Sequence, residues 1–172
     1  MAKKTIKINL SEQSIQNAIN QIENYKRELV NKNDKFVKRL AEVGIPVISQ
    51  NVASAIGDLN KGYNAYIRMN SFDTYSKATL VVEGKDILFI EFGSGVHYNG
   101  AVGGSPHPKG AEFGYTIGSY GEGKGKNDFW FYYADTGESI MSHGTKATMP
   151  VYKASVEIIQ NIRKVAREVF GS

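Results

Sequence analysis

Residues 15–43 read IQNAINQIENYKRELVNKNDKFVKRLAEV, in which Ile15, Ile22, Leu29, Phe36 and Val43 recur every seven residues. Ile19 and Leu40 fill the intervening turns, while Lys26 and Asn33 interrupt them. Side chains seven apart share one side of an α-helix, so the spacing predicts one apolar stripe along a long amphipathic helix. Ser11 stands where an N-cap belongs, with Leu10 and Ile15 at the positions of a hydrophobic staple around it. The polar run Asn31 to Asp34 is expected to interrupt or bend the helix. Pro46 should break or kink it, because proline has no amide hydrogen and its ring collides with the preceding turn. A further helical piece is expected from Val47 to about Leu59. The first stretch alone would be on the order of 45 Å long at ~1.5 Å per residue, and such a helix usually packs on something besides its own sheet.

Downstream the pattern changes to β-structure. Tyr63–Met69 and Tyr75–Val82 are rich in β-branched and aromatic residues and flank a polar turn, which predicts a hairpin. Ile87–Phe92 is a compact apolar run whose length does not decide between strand and short helix. From Gly93 to Gly125 eleven of 33 residues are glycine. This predicts a flexible Gly-rich loop over about 93–127 that no internal packing holds, because ordering so much glycine is costly and few apolar side chains offset it. Within it Phe113, Tyr115, Ile117 and Tyr120 alternate, as a strand added to a neighbour's sheet would. Asp128–Tyr133 is the most aromatic segment and reads as a buried strand. Pro150 opens a last helix with Val151, Ile158, Ile162, Val165 and Val169 along one face and Gly171 as its stop.

The 172 residues suit one domain, 1–172, and contain no cysteine, which removes disulfides, zinc ribbons and thiol nucleophiles. No segment resembles a signal peptide or a membrane span, so a soluble protein made in the cytoplasm is expected. The net charge of +4 is unevenly placed. Residues 1–43 carry 9 Lys/Arg against 5 Asp/Glu, residues 44–143 carry 7 against 10, and residues 144–172 carry 5 against 2. The ends are basic and the middle acidic, as expected if one face of a subunit complements a different face of its neighbour, or if the basic helices contact nucleic acid. The basic residues are interspersed with acidic ones, which favours the first reading.

Catalytic and ligand motifs fail on spacing. His97, His107 and His143 form no metal-binding pattern and read as solvated loop histidines. Gly118–Gly125 approaches a phosphate-binding loop, but Gly125 replaces the hydroxyl residue that holds magnesium. Glu83/Asp86 and Asp135/Glu138 lie in turns without an apolar pocket to separate their acidities. Ser94 and Ser142 lack the strained nucleophile elbow of a serine hydrolase. The aromatic block at Trp130 is bracketed by Asp128 and Asp135, unlike a base-stacking platform. No catalytic, cofactor-binding or metal-ligating residues are assigned.

The order of features is more informative. Ile90-Glu91-Phe92-Gly93-Ser94-Gly95 is followed by a Gly/Pro-rich loop and an aromatic strand at Trp130. Then come His143-Gly144-Thr145-Lys146-Ala147-Thr148-Met149-Pro150 and a basic amphipathic helix. This order resembles the neck-protein family of tailed phages named after the tenth gene product of a lambdoid phage. In that family a Glu-Phe-Gly-Thr-Gly-like motif precedes a tryptophan-bearing strand and a Pro-led C-terminal helix. Ser94 replaces the usual threonine, and Val151-Tyr152 stands where the family often has Phe-Met or Phe-Leu. The resemblance implies an α+β subunit with a long N-terminal helix and a C-terminal helix packed on a small, mainly antiparallel sheet. It implies a structural virion protein without cofactor or enzymatic activity: a ring, hexameric by the usual tail symmetry, in head–tail joining, tail completion or tail termination. The partners implied are further copies, a neighbouring connector or head-completion ring, and tail-tube or tail-terminator proteins, with DNA only passing through the lumen. The location is the virion neck or upper tail of a phage, prophage or tailocin, reached from the host cytoplasm. Candidate subunit-interface residues are Glu91, Phe92, Gly93, Gly95, Phe113, Tyr115, Ile117, Tyr120, Lys164 and Arg167. The alternative is a nucleic-acid-binding module using the basic terminal helices.

Overall fold

A computed structural model describes residues 5–55, 62–94, 105–114, 129–134 and 136–171. The fold is α+β: helix α1 (Glu12–Ala53), strands β1 (Asn64–Ser71) and β2 (Ser76–Glu83), short helix α2 (Ile87–Phe92), strands β3 (Trp130–Tyr133) and β4 (Ser139–Ser142), and helix α3 (Pro150–Phe170). The strands form two separate two-stranded antiparallel sheets, β1–β2 and β3–β4.

Helix α1 starts where the sequence places it, with the Ser11 hydroxyl accepting the Ser14 amide at 3.3 Å. The staple does not form: Leu10 is 99% exposed and Ile15 is exposed as well. Neither expected interruption breaks the helix, which runs unbroken for 42 residues. The polar run at 31–34 stays helical because Asp34 has partners on the hairpin. Its Oδ1 accepts the Ser71 hydroxyl at 2.9 Å and also that of Ser76. Pro46 is solvent-exposed, so its missing hydrogen bond falls where water reaches the backbone. The buried residues Ala41, Gly44, Ile48 and Val52 on either side of it hold the helix against the rest of the fold. The helix ends at Ala53 with Ser54 as its C-cap, earlier than expected.

The β1–β2 hairpin pairs Asn64 with Glu83 through to Ser71 with Ser76, close to the sequence expectation. Its turn is closed by the Phe72 amide donating to the Tyr75 carbonyl at 2.9 Å and by stacking of those two rings at 4.4 Å. Ile87–Phe92 resolves as a helix. The core comprises Ile48, Val52, Ala55, Ile90 and Ala154, ringed by Val47, Tyr63, Ala65, Leu80, Val82 and Ile87. Every long element except β3–β4 thus contributes to one apolar centre.

Helices α1 and α3 run antiparallel. Asn51 meets Lys153 (Nζ to Oδ1, 2.7 Å), Gly44 lies against Ala154 and Ile158, and the Phe36 ring meets Phe170 at 5.6 Å. Helix α3 therefore ends beside Phe36 and leaves the first turns of α1 projecting past it. Over Glu12–Tyr25 this projection is about 20 Å long at ~1.5 Å per residue. The aromatic strand departs from expectation. Phe131, Tyr132 and Tyr133 are 61%, 47% and 79% exposed, because β3–β4 has no third layer among the described residues to cover either face.

Candidate functional site

Helix α2 is a single short helix whose last three residues, Ile90, Glu91 and Phe92, are all buried. A carboxylate taken out of water must recover its hydrogen bonds within the protein. Glu91, 5% exposed, does so at the N-terminus of α3. Its Oε2 accepts the Val151 amide at 2.7 Å, and its Oε1 accepts the Tyr152 amide at 2.9 Å. The first helical residue, Pro150, has no amide hydrogen, and the Lys153 amide already reaches the Met149 carbonyl at 3.0 Å. Glu91 thus satisfies the open amides of the first turn from a distant segment and places negative charge at the positive end of the helix dipole. The local N-cap position cannot do this. Met149 adopts a left-handed conformation (φ 56°, ψ 53°) and makes no side-chain cap.

The third partner of the carboxylate is His107. Its Nε2 lies 3.0 Å from Glu91 Oε1, and its Nδ1 accepts the Lys109 amide at 3.0 Å. An accepting Nδ1 carries no proton, so the geometry assigns the neutral tautomer with Nε2–H donating to Glu91. The ring packs between Phe92 (4.5 Å) and the edge of Tyr152 (5.2 Å). Ser105 supports the same turn, donating from its hydroxyl to the Phe92 carbonyl at 2.5 Å and accepting the His107 amide at 3.2 Å. Gly110 closes the turn by donating to the His107 carbonyl at 2.8 Å. A Cβ there would lie 2.9 Å from that of Ser105.

Two sequence expectations are corrected here. His107 is not a solvated loop histidine but is 7% exposed. Residues 105–114, in the middle of the Gly-rich stretch, are anchored within the subunit. The anchor is polar, which is why a search for apolar side chains in that stretch missed it.

The two motifs quoted from the sequence lie against each other. The Ile90 carbonyl accepts the amides of Thr148 (2.9 Å) and Met149 (3.3 Å), and Ser94 and Thr145 exchange backbone hydrogen bonds at 2.9 Å in both directions. Gly93 joins the carboxylate to this bridge with φ 77° and ψ 166°, a conformation essentially confined to glycine. Sequence positions 90–94 and 145–152 thereby form one junction among α2, the 105–114 turn and α3.

Of the residues singled out as candidate interface, Glu91, Phe92 and Gly93 are in this junction and make its internal contacts. Phe113 is 57% exposed, with its ring 5.9 Å from Phe92, and lies in a turn. Lys164 and Arg167 are exposed on α3. Gly95, Tyr115, Ile117 and Tyr120 lie outside the described residues, as do His97 and the Gly118–Gly125 stretch.

The junction holds the chain together, and its polar side-chain atoms are engaged within the protein. Both ring nitrogens of His107 are engaged, and the Glu91 oxygens together accept three hydrogen bonds. Among the described residues no group of three His, Asp or Glu side chains is placed to hold a metal ion. None of their helices is long and apolar enough to cross a membrane. Apolar side chains that the fold leaves uncovered are found elsewhere: on the projecting part of α1, on one edge of α3, and on β3–β4. No protein-family model, curated protein or solved structure matches the chain.

Proposed function

We propose that this chain is a structural subunit that forms a ring in the neck or upper tail of a tailed phage, prophage or tailocin, in head–tail joining, tail completion or tail termination. The supporting observation is the amount of large apolar side chain left exposed on separate elements: Ile15, Ile19 and Ile22 on α1, Ile159 and Ile162 on α3, and Phe131, Tyr133 and Met141 on β3–β4. Apolar surface of this kind marks contact with other protein. A ring joins two different patches of one chain, and a fold with several uncovered patches meets that requirement. The order of the two motifs, now in contact at the Glu91 junction, is the other support.

Electron microscopy of the purified chain, with immunogold labelling of particles from cells carrying the gene, tests the proposal. Rings in the first and label at the head–tail junction in the second are expected. Label absent from particles, together with DNA binding that weakens steeply with salt, would overturn it in favour of a nucleic-acid module.

A further inference from the structure

Each nitrogen of the buried His107 ring already has a partner. Nε2 meets Glu91 Oε1 at 3.0 Å, and Nδ1 accepts the Lys109 amide at 3.0 Å. A neutral imidazole takes its second proton on the nitrogen that carries the lone pair, which in this tautomer is Nδ1. That lone pair is the one the Lys109 amide uses. With a proton there, two N–H groups would point at each other across 3.0 Å, and a hydrogen bond would give way to a repulsion.

The surroundings decide which of the two contacts yields. Among the described residues, the ring faces the Glu91 carboxylate from α2 and the edge of the Tyr152 phenol from α3 at 5.2 Å. In its own turn Lys109 and Glu112 are exposed and lie 3.9 Å from each other. A carboxylate attracts a charged donor more strongly than a neutral one, and Glu91 is itself fixed by the Val151 and Tyr152 amides at 2.7 and 2.9 Å. The ring therefore stays on Glu91, and the Lys109 amide is what moves. The stretch that moves with it is closed largely on itself. Gly110 donates to the His107 carbonyl at 2.8 Å, Phe113 to the Lys109 carbonyl at 3.1 Å and Gly114 to the Ala111 carbonyl at 3.2 Å, and none of these bonds uses the ring.

We infer that the 105–114 turn is a proton-operated latch: a second proton on His107 frees Lys109–Gly114 from the ring, while Glu91 keeps both the imidazole and the start of α3. The direction follows from the lone pair. The Lys109 bond is present while Nδ1 is unprotonated and is lost as pH falls. Release draws Phe113 away from Phe92, whose ring it meets at 5.9 Å, so acid opens the Glu-Phe-Gly-Ser-Gly motif on that side. The latch does not depend on the ring reading.

Amide exchange of the full chain, followed residue by residue across a pH series and corrected for intrinsic rates, tests it. His107 protonation is read in the same samples from the shifts of its own ring. Protection of Lys109–Gly114 should fall about tenfold or more in step with that protonation, while Val151 and Tyr152 stay protected. In His107→Gln, whose amide can still donate to Glu91 but does not titrate, the step should vanish. In Glu112→Gln it should persist. The inference is overturned if protection of Lys109–Gly114 is unchanged while His107 gains its proton, or if the step survives in His107→Gln. It is overturned equally if Val151 and Tyr152 lose protection together with the turn, or if the chain unfolds before His107 titrates.

Discussion

The Glu91 carboxylate accepts the Val151 amide at 2.7 Å across a separation of 60 residues, so the start of α3 is capped by the end of α2. Helices are usually capped by a residue next to them in sequence. Here Met149 occupies that position in a left-handed conformation, which leaves the cap to a residue that only the tertiary fold delivers. The stability of α3 is therefore tied to the seating of α2.

Replacing Glu91 with alanine leaves the Val151 and Tyr152 amides and the His107 Nε2–H without acceptors. At roughly 1–3 kcal/mol per unsatisfied buried group, a loss of about 3–5 kcal/mol is expected. Glu91→Gln keeps one acceptor oxygen but turns an NH2 toward a donor, and should cost about 1–3 kcal/mol. Denaturant unfolding followed by circular dichroism measures both. A midpoint within error of the parent for Glu91→Ala would show that water replaces the carboxylate.

His107 should give the nitrogen shifts of the Nε2–H tautomer, because Nδ1 receives the Lys109 amide. His107→Ala should accelerate amide exchange across 105–114 while α1 and α3 stay protected, since Val151 and Tyr152 retain Glu91. Long-range proton–nitrogen spectra and hydrogen exchange test the two statements. An Nδ1–H tautomer would reverse the donor assignment at Glu91.

Elements whose periodicity is local were legible in the sequence. The Ser11 cap, the β1–β2 hairpin, the start of α3 at Pro150 and its stop at Gly171 all follow from residues within a few positions of one another. The continuity of α1 was not legible, because Asp34 is held by Ser71 and Ser76 on a hairpin 37 and 42 residues away. The Glu91–His107 junction was hidden for the same reason. Its motifs were visible as Glu-Phe-Gly-Ser-Gly and as a histidine between two prolines, but nothing in the spacing joins positions 91, 107 and 151. The aromatic run at 129–133 misled through composition: large rings signal burial against something, and within the described residues β3–β4 has no covering layer.

Pro46 lies in a continuous helix with its ring in solvent. Proline in a helix interior is roughly 3 kcal/mol less favourable than alanine, and its restriction of the unfolded chain offsets up to about 1 kcal/mol. Pro46→Ala should therefore raise stability by about 1–3 kcal/mol, seen as a higher denaturation midpoint at unchanged slope. A loss of stability would mean that a bend at Pro46 is needed to seat Ile48 and Val52.

At Gly44 helix α1 lies against both α3 and β2. A Cβ added there would lie 2.5 Å from Leu80 Cδ2, 3.1 Å from Ile158 Cδ1 and 3.4 Å from Ala154 Cβ. Two effects oppose each other in Gly44→Ala. Helix propensity gains about 1 kcal/mol, while overpacking costs typically 1–3 kcal/mol. The closest atoms are the ends of flexible side chains, which can shift, so the net change should be a loss of about 0–2 kcal/mol. Leu80→Val alone should cost about 1 kcal/mol through lost packing. Combining the two removes the collision, and the double variant should be more stable than the sum of the singles by about 1 kcal/mol or more. A double-mutant cycle measured by denaturant unfolding decides the matter. Strict additivity would show that Leu80 is not what the glycine accommodates and would shift the constraint to Ile158 and Ala154 on α3.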